Sequence, residues 1–348
     1  MLAGQRDKGA SGDAPTWGVV MTACEPAALV VTNVRWHLAT GAAVVFVYLD
    51  DPDDPVAADL SGIHGCRVQL CDDRYWTGHR PRKGRPLSQM RRQTINAGAA
   101  QAVCETDWLF HIDADEFIWQ DTDLRAELAS MTTGDTELNL PVLERLFPEA
   151  QGQRHLFDGA FRASADLPEH EAQQAYGAFA GFMKRGQYSH GAGKSGVPVR
   201  QGLRLGVHNA MVQGSDRWRR APKTVSTSAR LLHFDGLTPL HWALKFIRYR
   251  MTPPDVQSSI LQPHRAAQID WMVARSDTWE AAMAAHAELF ALTPERRAQL
   301  QTYDLVHDIP FDPQGVLGAD LPDVSPKAFD ADLIARNPWL EEVMPPVG

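Results

Sequence analysis

The first half of the chain alternates short apolar runs with stretches of helical periodicity. Apolar residues recur at helical spacing from Leu29 to Leu38, and residues 87–105 are rich in alanine. Strands that alternate with helices predict an α/β fold with a mostly parallel central sheet and flanking helices. Four apolar runs have the length and bulk of buried strands: residues 17–22, 43–49, 66–70 and 108–112.

The second half of the chain is less regular. We expect a mobile basic loop at 72–86 and a long loop region at 148–196 that covers a site. The pattern further predicts strands at 136–146, 197–207 and 229–234, a helix at 239–250, helical structure at 263–302 and an extended tail over the last 40 residues.

These patterns predict the domain organisation. We expect a disordered segment at 1–15, a single α/β domain at 16–250 and a helical C-terminal extension with a tail at 251–348. The first 15 residues are rich in Gly, Ala and Asp and lack an apolar signal core.

Composition and charge exclude several classes of partner. The 348 residues carry a net charge of -9, which argues against nucleic acid or an anionic membrane as the main partner. No apolar stretch approaches the roughly 18 residues of a transmembrane helix. The four cysteines show no Cys-x-x-Cys spacing, which indicates a reducing compartment. We therefore expect a cytoplasmic protein.

Three acids directly follow the fourth apolar run. Asp113, Asp115 and Glu116 stand where a central strand leaves the sheet, and ligands of open α/β sheets bind at that carboxyl end. Carboxylate oxygens suit a hard divalent cation, Mn²⁺ or Mg²⁺, which in turn suits a diphosphate. The alternative is a strand-to-helix turn in which an Asp caps the helix, although one cap needs one acid and not three.

An ordered set of motifs gives the chain a family resemblance from Trp17 to about Phe246. An α/β half that ends in apolar strand and Asp-x-Asp resembles the GT-A glycosyltransferases, and more narrowly the bacterial relatives of glycosyltransferase family 2. The motifs are Trp36-His37, Arg91-Arg92-Gln93 with Asn96, Asp113-Ala-Asp-Glu-Phe117, Gly193-Lys194-Ser195 with Arg200, Gly206-Val207-His208 and Leu232-His233-Phe234.

A second segment resembles the metal-histidine segment of glycosyltransferase family 8, His-Phe-x-Gly-x-x-Lys-Pro-Trp. Here it reads His233-Phe-Asp-Gly236, followed by Pro239 and Trp242. Thr238 replaces the lysine of the family pattern and His241 precedes the tryptophan. A phosphate contact from that lysine is therefore not expected in this chain.

The resemblance implies a metal centre on the acids and one imidazole. Asp115 is the first expected metal ligand, and Asp113 is expected to contact the metal or the ribose; both are the candidate catalytic residues. His233 is the expected imidazole ligand and His208 its rival. The alternative for either histidine is a satisfied core residue.

The resemblance also implies a binding site for a nucleotide-sugar donor, which is expected to be a UDP-sugar. Asp50, at the end of the second strand, is expected to meet the uracil or the ribose. Arg92 and Lys194 are candidates for the diphosphate, and the alternative for each is a solvated surface charge.

The expected function is metal-dependent transfer of a sugar, of the hexosyltransferase kind, to a glycan or other acceptor in polysaccharide biosynthesis. Two alternatives stay open: a phosphotransferase of the haloacid-dehalogenase type, in which the first Asp is a nucleophile, and a non-catalytic sugar-nucleotide binding protein. An inverting enzyme also needs a carboxylate base. Spacing does not choose among five candidates: Asp158, Asp166, Glu169, Glu171 and Asp235.

Overall fold

A computed structural model describes residues 14–131, 134–148, 153–251, 262–275 and 278–340. The predicted disordered segment lies outside these residues except for positions 14 and 15. Within the described residues, no helix combines the length and apolar content that crossing a membrane requires.

Fifteen strands form three sheets among the described residues. They are β1 (Trp17–Ala23), β2 (Val44–Leu49), β3 (Cys66–Leu70), β4 (Trp108–His111), β5 (Glu116–Gln120), β6 (Glu137–Leu140), β7 (Val142–Leu146), β8 (Ala160–Ala163), β9 (Lys194–Pro198), β10 (Leu203–Arg204), β11 (Met211–Gln213), β12 (Trp218–Arg220), β13 (Lys223–Val225), β14 (Ala229–His233) and β15 (Val306–His307).

The helices lie between and after these strands. They are α1 (Ala27–Ala39), α2 (Val56–Ser61), α3 (Asp73–His79), α4 (Gln89–Val103), α5 (Leu124–Ser130), α6 (Glu169–Tyr176), α7 (Pro239–Met251), α8 (Pro263–Val273), α9 (Trp279–Phe290), α10 (Pro294–Gln301), α11 (Pro313–Leu317) and α12 (Pro326–Arg336), with 3-10 turns at Gly177–Phe182 and Gly318–Asp320.

The largest sheet has seven strands in the order β13-β6-β9-β4-β1-β2-β3. Strands β1 to β4 run parallel to one another, whereas β9 is antiparallel to both β4 and β6. Apolar side chains on both faces are buried, with Leu109 and Phe110 fully inaccessible, which is typical of a parallel sheet covered by helices. The predicted fold class, α/β with a mostly parallel central sheet flanked by helices, is confirmed.

A second sheet stands at the end of the first. Its order is β15-β8-β7-β14-β5, and β14 pairs antiparallel with β5 and parallel with β7. Because β4 belongs to the large sheet and β5 to the second, the acidic turn at 112–115 is the crossing point between them. The three-stranded sheet β10-β11-β12 is separate from both.

Several predicted elements are wrong in detail. The expected loop at 72–86 contains α3, whose first turn is capped by the Asp72 carboxylate (2.7 Å from the Tyr75 amide) and which buries Trp76. The expected strand at 136–146 divides at Pro141 into β6 and β7, which belong to different sheets. A proline cannot donate to a sheet ladder, which explains the break.

The other errors concern long-range pairing. The expected loop at 148–196 contains β8, α6 and the start of β9, and the expected strand at 197–207 ends at Pro198. The expected extended tail contains α11 and α12. Helix α12 packs on the core through Phe329 and Leu333, which are both buried. Strand β15 pairs with β8, so the C-terminal region joins the second sheet; the predicted boundary at residue 250 stays a prediction.

Candidate functional site

The acidic turn between β4 and β5 is held by its own backbone and carboxylates. The amide of Asp113 donates to Glu116 Oε2 at 2.6 Å, and the amide of Glu116 donates to the Asp113 carbonyl at 3.1 Å. The amide of Phe234 donates to the Asp115 carbonyl at 2.9 Å. The turn leads into a strand and not into a helix, so the helix-cap interpretation of these acids is wrong.

Helix α1 fixes the position of this turn through three polar side chains. Asn33 Nδ2 donates to the carbonyls of Ala114 and Glu116 at 3.0 and 2.7 Å. Trp36 Nε1 donates to the Ile118 carbonyl at 3.1 Å, and His37 Nε2 accepts from the Ile118 amide at 3.0 Å. Burial lowers the pKa of His37 to about 4, which keeps the imidazole neutral and able to accept. The Trp-His motif therefore anchors β5.

Glu116, His190 and His233 form a group suited to a metal ion. Their ligand atoms all lie within 4.8 Å of one another, and Glu116 is completely buried. Glu116 Oε1 and His190 Nε2 are 3.2 Å apart without hydrogen-bond geometry, so this carboxylate oxygen and both nitrogens of His190 lack hydrogen-bond partners among the described residues. A cation held by Glu116, His190 and His233 would supply the partners that these buried atoms lack.

A relay of hydrogen bonds sets the orientation of His233. Ser189 Oγ lies 2.7 Å from Glu144 Oε1 and 2.9 Å from His233 Nδ1. Glu144 is fully buried and accepts from Arg162 and from the amides of Tyr188 and Ser189. Because the ion-paired carboxylate only accepts, the Ser189 hydroxyl donates to Glu144 and accepts from the Nδ1–H of His233. The lone pair of His233 is thereby placed on Nε2, as a metal ligand requires.

Asp115 faces a lysine on α7. Lys245 Nζ donates to Asp115 Oδ2 at 2.7 Å and to Asp235 Oδ1 at 3.2 Å, while Arg265 Nη1 donates to Asp235 Oδ2 at 3.0 Å. His233 Nε2 lies 3.8 Å from the same Asp115 oxygen. Burial lowers the pKa of Lys245, but the two carboxylates outweigh it and raise that pKa above its usual value. Lys245 is therefore a permanent cation beside the histidine group.

Asp113 points away from that group. Its carboxylate accepts from Gln93 Nε2 at 2.6 Å and from Lys194 Nζ at 2.7 Å, and Lys194 also lies 3.3 Å from Glu116 Oε2. Burial raises the pKa of both acids, but Lys194 outweighs it and holds the pKa of Asp113 low and that of Glu116 well below its usual range. Lys194 is itself fully buried and acts as their counter-ion, so its expected diphosphate contact stays a prediction.

His208 lies beside the metal group without belonging to it. Its ring centroid is 4.4 Å from that of His190, and its Nδ1 is 3.3 Å from the Gly193 carbonyl. Burial, together with the positive charge of Lys194, lowers the pKa of His208 to about 3. Of the four metal ligands expected from the sequence, the compact group includes His233, whereas Asp113, Asp115 and His208 surround it.

Asp50 and Arg92, both expected donor contacts, are brought together by β2 and α4. Arg92 donates twice to the Asp50 carboxylate, Nε to Oδ1 and Nη2 to Oδ2, both at 2.8 Å, and Arg85 adds a third contact at 2.9 Å. A cavity of about 670 Å³ opens beside this pair at the carboxyl ends of β1, β2 and β3, lined in part by Cys24, Asp50, Cys71, Asp72, Arg74 and Arg85. Such an edge is where α/β sheets bind ligands.

The segment that resembles the family 8 pattern lacks the lysine of that pattern. Thr238, in place of the lysine, is buried and donates to Asp330. His241 Nε2 meets Glu25 Oε2 at 3.1 Å, and, although burial opposes it, this contact lowers the pKa of Glu25 to about 2. The cation that faces the acidic turn comes instead from Lys245, seven residues after Thr238.

No protein-family model and no curated protein sequence matches the chain. Among solved structures it is similar to GalNAc-T7 with UDP, GalNAc and Mn²⁺, at 10% identity over 66% of this chain and 47% of that chain, with a TM-score of 0.36. It is similar to S. aureus TarS 1-349 in complex with UDP-GlcNAc, at 12% identity over 91% of this chain and 83% of that chain (TM-score 0.31).

A third similar structure is HddC from Yersinia pseudotuberculosis, at 9% identity over 66% of this chain and 97% of that chain, with a TM-score of 0.34. The chain spans about half the length of GalNAc-T7. At these identities and TM-scores the likenesses say nothing of individual residues.

Proposed function

We propose that the chain is a divalent-metal-dependent glycosyltransferase of the GT-A type that takes a sugar from a nucleotide-sugar donor, a UDP-sugar, and passes it to a glycan acceptor. One observation carries the proposal. The turn at 112–116 joins two sheets and sets Glu116 with two imidazoles next to Asp115, at the carboxyl edge where the Asp50 cavity opens. Metal-ligating side chains at the same sheet edge as a cavity of about 670 Å³ suit a metal-bound nucleoside diphosphate.

Glu116, His190 and His233 are the residues that fit the metal. The orphaned Glu116 oxygen and the His233 nitrogen made available by Ser189 supply two ligand atoms, and His190 supplies the third. Two imidazoles with one carboxylate favour Mn²⁺ over Mg²⁺, which prefers oxygen ligands and water. When bound, the ion neutralises the negative charge that develops on a leaving diphosphate.

Lys245 and Asp115 are the residues expected to orient that diphosphate. The Asp115–Lys245 pair is 12% and 20% exposed, so its open side reaches solvent next to the metal group. Lys245 presents a fixed ammonium there, and Asp235 with Arg265 holds it from behind. Because Asp235 is itself paired with Arg265, it fixes the position of the Lys245 ammonium and reduces its reorganisation.

Asp50 is the residue expected to meet the ribose or the uracil. Its carboxylate is anchored on two sides by Arg92, so it projects rigidly into the rim of the cavity. Arg85, which is 47% exposed and contacts the same Asp50 carboxylate, borders the same rim, and its solvent-facing side is expected to meet a phosphate. Arg92 thus supports Asp50 from a mostly buried position, whereas Arg85 is the accessible hydrogen-bond donor.

Calorimetry with UDP and Mn²⁺ tests the proposal directly. We expect UDP to bind with Mn²⁺ and to lose most of its affinity when a chelator is added. A panel of UDP-sugars is then assayed for donor hydrolysis and a phosphomonoester for phosphatase activity. Hydrolysis of one UDP-sugar supports the transferase, and phosphomonoester turnover would support the dehalogenase-type alternative.

Asp115→Asn is the matching variant, because it removes a charge and keeps the shape. We expect donor turnover to fall at least ~100-fold, the scale of a lost charge-stabilising contact. Asp308→Asn, on an exposed ion pair with Arg297, is the control. Metal-independent UDP binding without any turnover would leave the non-catalytic binding protein as the better description.

A further inference from the structure

The three-stranded sheet β10-β11-β12 presents basic residues on one face. Arg204 is opposite Met211 and Met211 is opposite Arg220, while Gln213 is opposite Trp218. Paired residues of neighbouring strands, and alternate residues of one strand, project from the same side. Arg204, Trp218 and Arg220 therefore share one face of this sheet.

That face is the solvent face. Leu203, on the opposite side, is 3% exposed, and Val212 packs against the same core cluster. Arg204 and Arg220 are exposed, and Trp218 keeps 36% of its surface exposed. A tryptophan left open on a sheet whose other side is buried is a feature of binding surfaces more than of a folding core.

The charge of this region is opposite to that of the chain. Between residues 200 and 223 the single acid is Asp216, although the whole chain carries a net charge of -9. In the part of the chain that the structure describes, none of the six cations of this region forms an ion pair with a carboxylate. The six are Arg200, Arg204, Arg217, Arg219, Arg220 and Lys223.

The arginine–tryptophan contact gives this face a defined shape. The guanidinium carbon of Arg204 lies 4.4 Å from the centroid of the Trp218 ring, a cation–π distance that holds the side chain in place. Charged residues also protect edge strands from aggregation, and β12 is such an edge. Protection requires charge alone and does not require an arginine ordered on an exposed aromatic ring.

One short connection of the chain links the basic face to the candidate active site. Residues 205–210 connect β10 to β11 and carry His208, whose ring meets that of His190. The same connection is fixed by the Gly206 carbonyl, which lies 2.7 Å from His111 Nδ1, and by the Ala210 amide, which donates to the Glu137 carboxylate. The basic face and the metal group are therefore separated by the connection at 205–210, whose His208 contacts His190.

We propose that the face of Arg204, Trp218 and Arg220 binds the acceptor, and that this acceptor is an acidic polysaccharide, with carboxylate or phosphate groups along its chain. This inference rests on the proposed function. Arginine and tryptophan are the residues that carry most energy at binding surfaces, and guanidinium groups pair bidentately with carboxylates and phosphates. Three residues of strand span roughly 10 Å, which suits a short segment of one chain.

Membranes and nucleic acids fit this face less well. Both present extended negative charge, and the net charge of -9 over the whole chain repels it. A single polysaccharide chain touches the basic face alone and leaves the acidic remainder in solvent.

Binding of polygalacturonate, with neutral dextran as the reference, tests the proposal. We expect the protein to bind polygalacturonate but not dextran, and Arg204→Gln/Arg220→Gln to weaken that binding about tenfold or more. Trp218→Ala should weaken it as well. The matched control is Arg67→Gln/Arg275→Gln, which removes one arginine from the edge strand β3 and one that lies 4.4 Å from the ring of Trp271.

Equal affinity of the basic-face variant and the control would overturn the proposal. So would arginine-dependent binding to phosphatidylglycerol vesicles or single-stranded DNA that is tighter than binding to polygalacturonate. UDP with Mn²⁺ is titrated into the same proteins. If the protein binds UDP but not polygalacturonate, the acceptor proposal alone is wrong. If it does not bind UDP, but binds polygalacturonate in a way that depends on Arg204 and Arg220, the proposed function is wrong and the polysaccharide site remains.

Discussion

Glu116 and His233 are directly opposite residues of the antiparallel pair β5–β14. Side chains of opposite residues project from the same face, with their Cβ atoms about 5 Å apart. The acid at the start of one strand and the imidazole at the end of the other are thus brought together by the sheet itself. His190 completes the group from the segment before β9. Two of the three candidate ligands are therefore positioned by backbone pairing, without a mobile loop.

The first prediction concerns these ligands. His190→Ala and His233→Ala should each lower Mn²⁺ affinity by more than about 100-fold, the upper end of the loss from a missing supporting contact. His208→Ala should keep most of the affinity, because His208 lies outside the compact group. Calorimetric titration with Mn²⁺ measures this, and His155→Ala at a distant exposed position is the control. If His208→Ala alone abolishes binding, the metal lies on the other side of His190.

The second prediction concerns the relay through Ser189. Ser189→Ala removes the acceptor of the His233 Nδ1–H and should lower Mn²⁺ affinity by about 10- to 100-fold. Ser189→Thr keeps a hydroxyl and should retain most of the affinity. The exposed Ser130→Ala variant is the control. Equal affinities of the Ala and Thr variants would show that the tautomer of His233 does not depend on this hydroxyl.

The third prediction separates the diphosphate contact from the nucleoside contact. Lys245→Gln should weaken UDP binding in the presence of Mn²⁺ by about 10- to 100-fold, which corresponds to the free energy of one charge-assisted hydrogen bond. Binding of uridine, which has no phosphate, should change little. Lys327→Gln, on the exposed start of α12, is the matched control. Equal losses for UDP and uridine would instead indicate that Lys245 maintains the shape of the whole site.

The sequence predicts the sheet and the acidic turn because both depend on local pattern. The apolar run ending at Ile112 is long enough to be a buried strand, and the acids that follow it mark the point where this strand leaves the sheet. Asp50 and Arg92 are each predicted to contact the donor, and in the structure they form a bidentate pair with one another. Such features need only the order of elements along the chain.

The sequence predicts His233 as a metal ligand, but His190 could not be predicted from local pattern. His190 stands among glycines and small polar residues that resemble a loop, and its position depends on backbone hydrogen bonds from Tyr188 and Ser189 to Glu144, 44 and 45 residues earlier. Lys245 did leave a signal. Lys245 follows His241 by four residues, on the polar face of an amphipathic helix. This polar face turns toward Asp115 and Asp235.

The last prediction uses Asp330, a carboxyl on α12 remote from the metal group. Burial raises its pKa from 3.8 to about 6, although the Thr238 hydroxyl and His241 act against this rise. The folded protein then binds more protons than the unfolded chain between about pH 4 and pH 6, so this group makes the free energy of unfolding fall as the pH rises through that range. Above that range the loss is complete and constant.

Asp330→Asn removes this titration and keeps an acceptor for Thr238. At about pH 7 the variant should be more stable than the wild type by up to roughly 3 kcal/mol, at about 1.4 kcal/mol per pKa unit, and at about pH 4 the two should be nearly equal. Urea unfolding across this range measures the difference, and Asp270→Asn, on the exposed side of α8, is the control. A stability difference that does not change with pH would mean that the carboxyl of Asp330 is ionised in the folded protein, because a charged aspartate held by Thr238 and His241 gains nothing from protonation over this range.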